Sequence, residues 1–217
     1  MSKYNTFNTN SFSVHQKIVQ SIGKEKKVLD VGCAEGNLSE KMNINECEVI
    51  GIELDKNAAK KAQKYCKKVF IGDVEEIELK DEFLNYFDFI IFADILEHLK
   101  YPMNVLKEFM KYLKDDGRII VSLPNIANWR IRFKLLMGNL DYESQGILDE
   151  GHLRFFTEKN AKKLLRDSGL KISKFDITVG DVKRFASFFH FIGMLWPNFL
   201  AFQFLIIAEK KKLSIKV

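Results

Sequence analysis

Cysteine is scarce in this chain, and no pair of cysteines stands at a metal-ligand interval. Cys33, Cys47 and Cys66 are odd in number and widely spaced, which argues against a disulfide framework and against a cysteine-based zinc site. No uninterrupted apolar run reaches transmembrane length. Residues 185–207 come nearest, but His190, Pro197, Asn198 and Gln203 interrupt them. The start, Met1-Ser2-Lys3-Tyr4-Asn5-Thr6, lacks the basic-then-apolar pattern of a signal peptide. There is no internal repeat and no low-complexity linker. Together these absences read as a reduced, cytoplasmic protein.

What is present suits one ordinary domain. The chain has 217 residues, 47% of them apolar, enough for a substantial core. Net charge is +5 and the sequence pI is about 8.9. Lys and Arg are interspersed with Asp and Glu, so this mild basicity points to anionic small molecules or a weakly anionic surface more than to a dedicated nucleic-acid module.

Strand and helix patterns alternate. Val14, Ile18 and Ile22 form a helical stripe over 13–22, ended by Gly23. Strands are predicted at Lys27–Val31, Glu48–Leu54, Val69–Ile71, Phe87–Phe92, Arg118–Leu123, 171–179 and 203–209. Phe87–Phe92 is nearly all apolar, as suits a parallel strand covered on both faces. Helices are predicted at Gly36–Met42 and Lys56–Lys67, the second with Asp55 as its cap. Another runs from Pro102, with Met103, Leu106, Phe109 or Met110, and Leu113 inward, until Asp115-Asp116-Gly117 ends it. Thr157 caps a last helix through Leu165, closed by Gly169. The alternation implies a doubly wound, mostly parallel α/β sheet in a single domain, 1–217. It carries an N-terminal helical arm (1–23), a Phe-rich segment (180–202) and one long interruption. That interruption, residues 124–156, is too long for a routine connection and stands where such sheets meet substrates.

The chemistry begins at Val28-Leu29-Asp30-Val31-Gly32-Cys33-Ala34-Glu35-Gly36. An apolar strand runs into an acid and a turn whose glycines permit close backbone approach. The interval is Gly-x-x-x-Gly, not the Gly-x-Gly-x-x-Gly of dinucleotide folds. Three more landmarks follow: Gly51-Ile52-Glu53-Leu54-Asp55, Ile71-Gly72-Asp73-Val74, and Ala93-Asp94-Ile95-Leu96-Glu97-His98 after the fourth strand. In this order, from about Val28 to Leu123, they resemble class I S-adenosylmethionine-dependent methyltransferases.

The resemblance implies seven strands with a reversed final hairpin, S-adenosylmethionine as cofactor and S-adenosylhomocysteine as product. It implies that Glu53, with Leu54 beside it, meets the ribose hydroxyls. Asp73 and Val74 meet adenine. Gly32, Cys33, Ala34 and Gly36 form the loop against the cofactor, and Ala93 and Asp94 end the strand beside it. Asp30 acts near the amino-acid end, directly or by orienting the loop. Asp88 is taken as structural. The competing readings are a solvent-facing strand-end acid for Glu53 and a plain turn for Asp73.

A hydroxyl acceptor has to lose a proton, and histidine is suited to take it. His98 and His152 are the candidate bases, each with an alternative role in holding its own loop; His15 is a candidate cover for the cofactor and His190 is assigned to packing. Similar acid-x-x-Glu-His turns in some quinone and small-RNA methyltransferases bind a divalent ion. Asp94, Glu97 and His98 are therefore an alternative Mg²⁺ set, although no metal is expected.

The stretch from Pro124-Asn125-Ile126 through His152-Leu153-Arg154-Phe155-Phe156 resembles a narrower group, methyltransferases similar to methionine-biosynthesis protein W, often tied to surface-polysaccharide pathways. That likeness implies O-methylation of a sugar-containing small molecule. Arg130, Lys134 and Arg154 are candidates for its phosphates, against the alternative of a solvated basic face. The other readings are a phenolic, quinone-like or amine acceptor, or a cofactor-binding regulatory partner without turnover. No Asn/Asp-Pro-Pro-Tyr-type motif suggests nucleic-acid amine methylation. Phe185, Phe188, Phe189, Phe191, Leu195, Trp196, Phe199 and Phe202 are assigned mainly to core and a wall of the substrate site, with a dimer or shallow membrane contact as the alternative.

Overall fold

The structure is a computed structural model describing residues 13–180 and 186–211, the side chain of Ala186 excepted. Seven strands form one sheet: β1 (Lys27–Val31), β2 (Glu48–Glu53), β3 (Lys68–Ile71), β4 (Phe87–Ala93), β5 (Leu113–Pro124), β6 (Leu170–Thr178) and β7 (Gln203–Lys210). Their order is β3-β2-β1-β4-β5-β7-β6. The pairs from β3 to β5 are parallel, while β7 runs antiparallel to both β5 and β6. This is the sheet expected for a class I methyltransferase, reversed hairpin included.

Two-residue alternation along the strands builds two cores. Leu29, Val31, Ile50, Ile52, Ile90, Phe92, Ile119 and Val121 point to one face. There they meet Leu106 and Phe109 of α4 (Pro102–Phe109) and Ala161 and Leu165 of α6 (Glu158–Asp167). Val28, Val49, Phe89, Ile91 and Ile120 point to the other. They meet Val14 and Ile18 of α1 (Val14–Ile22), Met42 of α2 (Asn37–Ile44) and Ala62 of α3 (Lys56–Ala62). Burying one such Leu, Ile or Phe contributes about 1.5–3 kcal/mol. Doubly buried central strands explain their near-continuous apolar sequences.

Local chemistry sets the element ends. Asp55 Oδ1 accepts the Ala58 amide at 2.7 Å, and Thr157 Oγ1 accepts that of Asn160 at 3.4 Å, so both caps stand where the sequence places them. Several boundaries differ, two of them at helix ends by four residues or more. α3 stops at Ala62 rather than Lys67, because the amides of Lys64 and Tyr65 bond three residues back, to Lys61 and Ala62. That tightening turns Cys66 into the core. Asp115-Asp116-Gly117 does not end α4, which already stops at Phe109. A single 3₁₀ turn follows, and Asp115–Gly117 lie within β5 where its register against β4 shifts.

The insertion carries one helix, α5 (Trp129–Leu136), capped by the Asn128 side chain on the Arg130 amide. The Phe-rich segment forms α7 (Ala186–Leu195) and α8 (Pro197–Leu200). Its assignment to core is corrected. Among the described residues of this set, Phe188, Phe189, Phe191, Leu195, Trp196 and Phe199 are exposed, and Phe202 packs inward, against a small cluster of Ile131, Ile147 and Leu148. Phe185 and residues 1–12 lie outside the described residues. His190 is also corrected from packing to polar anchoring: its Nε2 donates to Asp176 Oδ1 at 2.6 Å while Lys17 donates to Asp176 Oδ2 at 2.8 Å, so Asp176 on β6 ties α7 and α1 together. Among the described residues no helix is long and apolar enough to cross a membrane.

Candidate active site

The strand order reverses between β1 and β4, and in open α/β sheets the crevice at the carboxyl ends of such strands receives ligands. Gly32 and Gly36 carry the chain across it with φ of +74° and +84°. A Cβ on Gly36 would stand 3.0 Å from the Ala62 Cα, so the loop lies directly on α3. The amides of Gly32 and Cys33 both donate to the Ile52 carbonyl, at 2.8 and 3.0 Å, fastening the loop to β2. Glu53 completes the attachment: Oε2 accepts the Ala34 amide and Oε1 the Asp55 amide, both at 2.8 Å.

A cleft of about 250 Å³ opens beside this loop. Gly32, Glu53, Leu54, Asp73 and Val74 line one side; Ile95, His98, Leu99, Lys100 and Leu153 line the other. Asp73 Oδ1 also accepts the Glu75 amide at 2.9 Å, so it stabilises its turn as well as facing the cleft. A larger hollow of about 450 Å³ sits around Glu48 and Lys67, at the amino end of β2, away from the glycine loop.

Asp30 does not line the cleft. It is buried beneath the loop, accepts from Ser39 Oγ at 2.7 Å, and burial raises its carboxyl to about 6 despite that hydroxyl. Its place is under the loop, which suits the orienting role. Cys33 likewise contributes no side chain to the cleft. Its Sγ would be 2.6 Å from a Cβ on Gly51 and packs into the core near Cys66, leaving only its backbone on the loop. Ala93 packs against the core on the α1 side. Asp94 follows with φ +51°, its carboxylate held by Ser122 Oγ at 2.8 Å and Gln203 Nε2 at 2.9 Å. His15 on α1 is half-buried, and that desolvation lowers its imidazole while the nearby Asp94 charge opposes the shift.

The two candidate bases are neighbours. The amides of Leu153 and Arg154 donate to the Glu97 carbonyl at 2.9 and 3.0 Å, pinning the end of the insertion to the turn after β4. His152 is thereby brought against His98, ring centroids 4.7 Å apart. His98 Nδ1 stands 2.9 Å from the Gly151 carbonyl and His152 Nδ1 3.1 Å from the Ile147 carbonyl. A carbonyl only accepts, so both Nδ1 atoms carry a proton, and in the neutral imidazole the lone pair is on Nε2. Burial, then His98, lower the His152 imidazole.

Glu97 lies within this pair. It is 1% exposed, and neither carboxyl oxygen has a hydrogen-bond partner. Burial, then the charges of Asp94 and Asp149, raise it well above the usual carboxylate range. Glu97, His98 and His152 each offer a ligand atom within 4.8 Å of the others. Of the alternative set Asp94, Glu97 and His98, Asp94 is instead engaged by Ser122 and Gln203, and the side chains that gather around Glu97 are His98 and His152.

The substrate candidates do not converge. Lys134 pairs with Glu143 at 2.5 Å, and Arg130 stacks 5.5 Å over the Trp129 ring; neither lines the cleft. Arg154 sits at the rim, its Nε donating to the Lys100 carbonyl at 3.1 Å. Sequence reasoning missed Lys100 and Glu75, whose carboxylate accepts the Lys100 and Tyr101 amides at 3.1 and 2.6 Å. It also missed Asp149, whose Oδ1 accepts the Gly151 amide at 2.7 Å and shapes the His152 loop. Only the Leu148-Asp149-Glu150-Gly151-His152 stretch carried a local sign of this, a turn-forming acid two residues before a glycine.

Fold and site together define a class I methyltransferase architecture. The sequence model of the methyltransferase-domain family matches residues 8–174, and the chain belongs to that family. An uncharacterized protein of Methanocaldococcus jannaschii is 33% identical over 95 residues, 44% of this chain and 43% of that protein. The ubiquinone biosynthesis O-methyltransferase of Idiomarina loihiensis is 32% identical over 110 residues, 48% of this chain and 45% of that enzyme. The chain thus spans just under half the length of these curated relatives. Among solved structures, an S-adenosylmethionine-dependent methyltransferase from Archaeoglobus fulgidus has a TM-score of 0.63 at 16% identity, covering 90% of each chain. One from Thermotoga maritima has a TM-score of 0.64 at 18% identity, covering 92% of this chain and 89% of that one. Identities this low carry the fold alone.

Proposed function

We propose that this chain is an S-adenosylmethionine-dependent O-methyltransferase. The observation that carries the reading is that His98 lines the cleft beside the glycine loop and also touches His152 next to buried Glu97. The cleft fits the cofactor. Each Glu53 oxygen spends one lone pair on a backbone amide and keeps one for a ribose hydroxyl. Asp73 and Val74 both line the cleft, and we assign them to the adenine amine and ring. A Cβ on Gly32 would stand 2.3 Å from Ile95 Cδ1, so the glycine lets Ile95 pack directly against the loop. Bound there, S-adenosylmethionine supplies an electrophilic methyl group on a sulfonium. The chain's own work is alignment of the acceptor oxygen for in-line attack, and removal of its proton to the lone-pair Nε2 of His98.

The acceptor we favour is a sugar-containing small molecule, a nucleotide sugar or surface-glycan precursor. Its support is the likeness of residues 124–156 to the protein-W-like group, with Lys100 and Arg154 at the rim as the cations for a phosphate. A second reading is a phenolic or quinone-like hydroxyl activated by a divalent metal at Glu97, His98 and His152. The orphaned Glu97 oxygens favour it, as do the Nδ1–carbonyl pairs that aim both imidazoles. So does the name of the Idiomarina relative. Two nitrogens and one carboxylate suit Mn²⁺ or Zn²⁺ better than oxygen-preferring Mg²⁺. A bound ion would act as a Lewis acid on the acceptor oxygen.

Methyl transfer from a tritiated donor to nucleotide sugars, sugar phosphates and phenols, with and without EDTA, tests both. EDTA-insensitive transfer to a nucleotide sugar supports the first reading. EDTA-sensitive transfer to a phenol restored by Mn²⁺ supports the second. Cofactor binding without transfer to any acceptor overturns both in favour of a regulatory partner.

A further inference from the structure

One face of the molecule keeps its large apolar side chains in water. On α7, Phe188, Phe191 and Leu195 recur at helical spacing and are all exposed, Phe191 at 64%. The opposite side of α7 is fixed to β6. His190 bonds Asp176 there, and a Cβ on Gly193 would come within 2.5 Å of Ile177. Trp196 and Phe199 continue the exposed surface onto α8. On α5, Trp129, Phe133 and Leu136 are exposed too, Leu136 at 80%. The two parts form one unit: Asn125 and Asn128 donate to the Ala201 carbonyl, each at 2.8 Å, and the Arg132 guanidinium lies 6.0 Å from the Phe199 ring centre. The unit sits at the carboxyl end of β5 and the amino end of β7, the same edge of the sheet as the cleft.

Charge separates the possible occupants. Neither residues 125–139 nor 182–202 contain an Asp or Glu, whereas Arg130, Arg132, Lys183 and Arg184 fall within them, beside Lys134, which Glu143 already pairs. Lys183 and Arg184 are outside the described residues. A second copy would bring the same cations against this rim without a carboxylate in these segments to pair them. An anionic bilayer complements both parts, with apolar and aromatic side chains entering the headgroup boundary and basic ones meeting lipid phosphates. α7 has 10 residues, about 15 Å of helix against a hydrocarbon core of about 30 Å, so this is contact along the surface rather than a span.

We propose that α5, α7 and α8 dock this protein on an anionic lipid surface, with the mouth of the cleft held beside the membrane. The inference stands on the exposed face and does not require the methyl-transfer reading.

The chain's two tryptophans, Trp129 and Trp196, are both on this face, so fluorescence reports it directly. The whole chain is mixed with phosphatidylcholine vesicles with and without phosphatidylglycerol, and flotation and Trp emission are read. Flotation with a blue shift on the anionic vesicles, weakened by salt, is expected. The double change Phe191→Ser with Leu195→Ser, and separately Arg130→Glu, should each lower vesicle affinity roughly fivefold or more, with thermal melting unchanged. No binding to anionic vesicles overturns the proposal. So does binding that neither variant alters, or a concentration-dependent dimer, without lipid binding, that the apolar variant abolishes.

Discussion

The imidazole rings of His98 and His152 meet edge to face, centroids 4.7 Å apart and planes at 69°. The contact joins the turn after β4 to the far end of the insertion, and backbone bonds to the Glu97 carbonyl hold it. Two residues that compete for one role in the sequence therefore stand side by side.

His98→Ala and His152→Ala are each expected to lower methyl transfer, the His98 change by roughly 10²–10⁴-fold, while S-adenosylhomocysteine affinity is retained. As the rings touch, the double variant should lose less than the product of the single losses. Steady-state kinetics with calorimetric binding checks this. Turnover within tenfold of wild type for both single variants removes the histidine pair from the chemistry.

Glu97→Leu replaces an orphaned buried carboxyl with an apolar side chain of similar size. In EDTA the variant should be more stable than wild type by about 1–3 kcal/mol, since no hydrogen bond is lost and a desolvation penalty disappears. If the cluster binds Mn²⁺ or Zn²⁺, the ion raises the melting temperature of wild type and not of the variant. A destabilised variant in EDTA contradicts the reading of Glu97 as unpartnered.

Asp30 gives a pH dependence opposite to that of a paired carboxylate. Burial raises it from 3.8 to about 6, so the folded chain holds the proton more tightly than the unfolded one. Stability from this group is full below the unfolded pKa, declines as pH rises to about 6, and is level above it; the difference is roughly 3 kcal/mol. Asp30→Asn should remove that decline, as read by urea unfolding across the window. An equal slope in both proteins contradicts the assignment.

Asp176 behaves conversely. Burial opposes its charge, but hydrogen bonds from Lys17 and His190 outweigh it and hold the carboxyl below its ordinary value. Its contribution is present above the unfolded pKa and is lost as pH falls through the lower folded one. Asp176→Asn leaves the Lys17 ammonium, 11% exposed, beside a neutral amide. We expect roughly 1–3 kcal/mol of destabilisation at neutral pH, by urea unfolding. An unchanged midpoint contradicts the anchoring of α7 and α1 through this group.

The parts of the fold legible in the sequence are those set locally. Apolar alternation located all seven strands, and Asp55 and Thr157 marked their helices through side-chain caps. The Glu53 position follows from strand length and spacing. The parts that were not legible depend on distant contacts. Gln203 holds Asp94 only because β7 turns antiparallel beside β5. Cys33 points into the core because Gly51 leaves room there. Residues 186–199 have the composition of a core, and no local pattern tells that their phenylalanines face outward.

The central claim is that the loop from Gly32 to Gly36, with Glu53, holds S-adenosylmethionine. Isothermal titration of S-adenosylhomocysteine into wild type and Glu53→Ala tests it most directly. The account expects one site in wild type and affinity roughly 10–100-fold weaker in the variant, as suits loss of hydrogen bonds to a charged group. Absence of binding to wild type, or equal binding by both proteins, would contradict it.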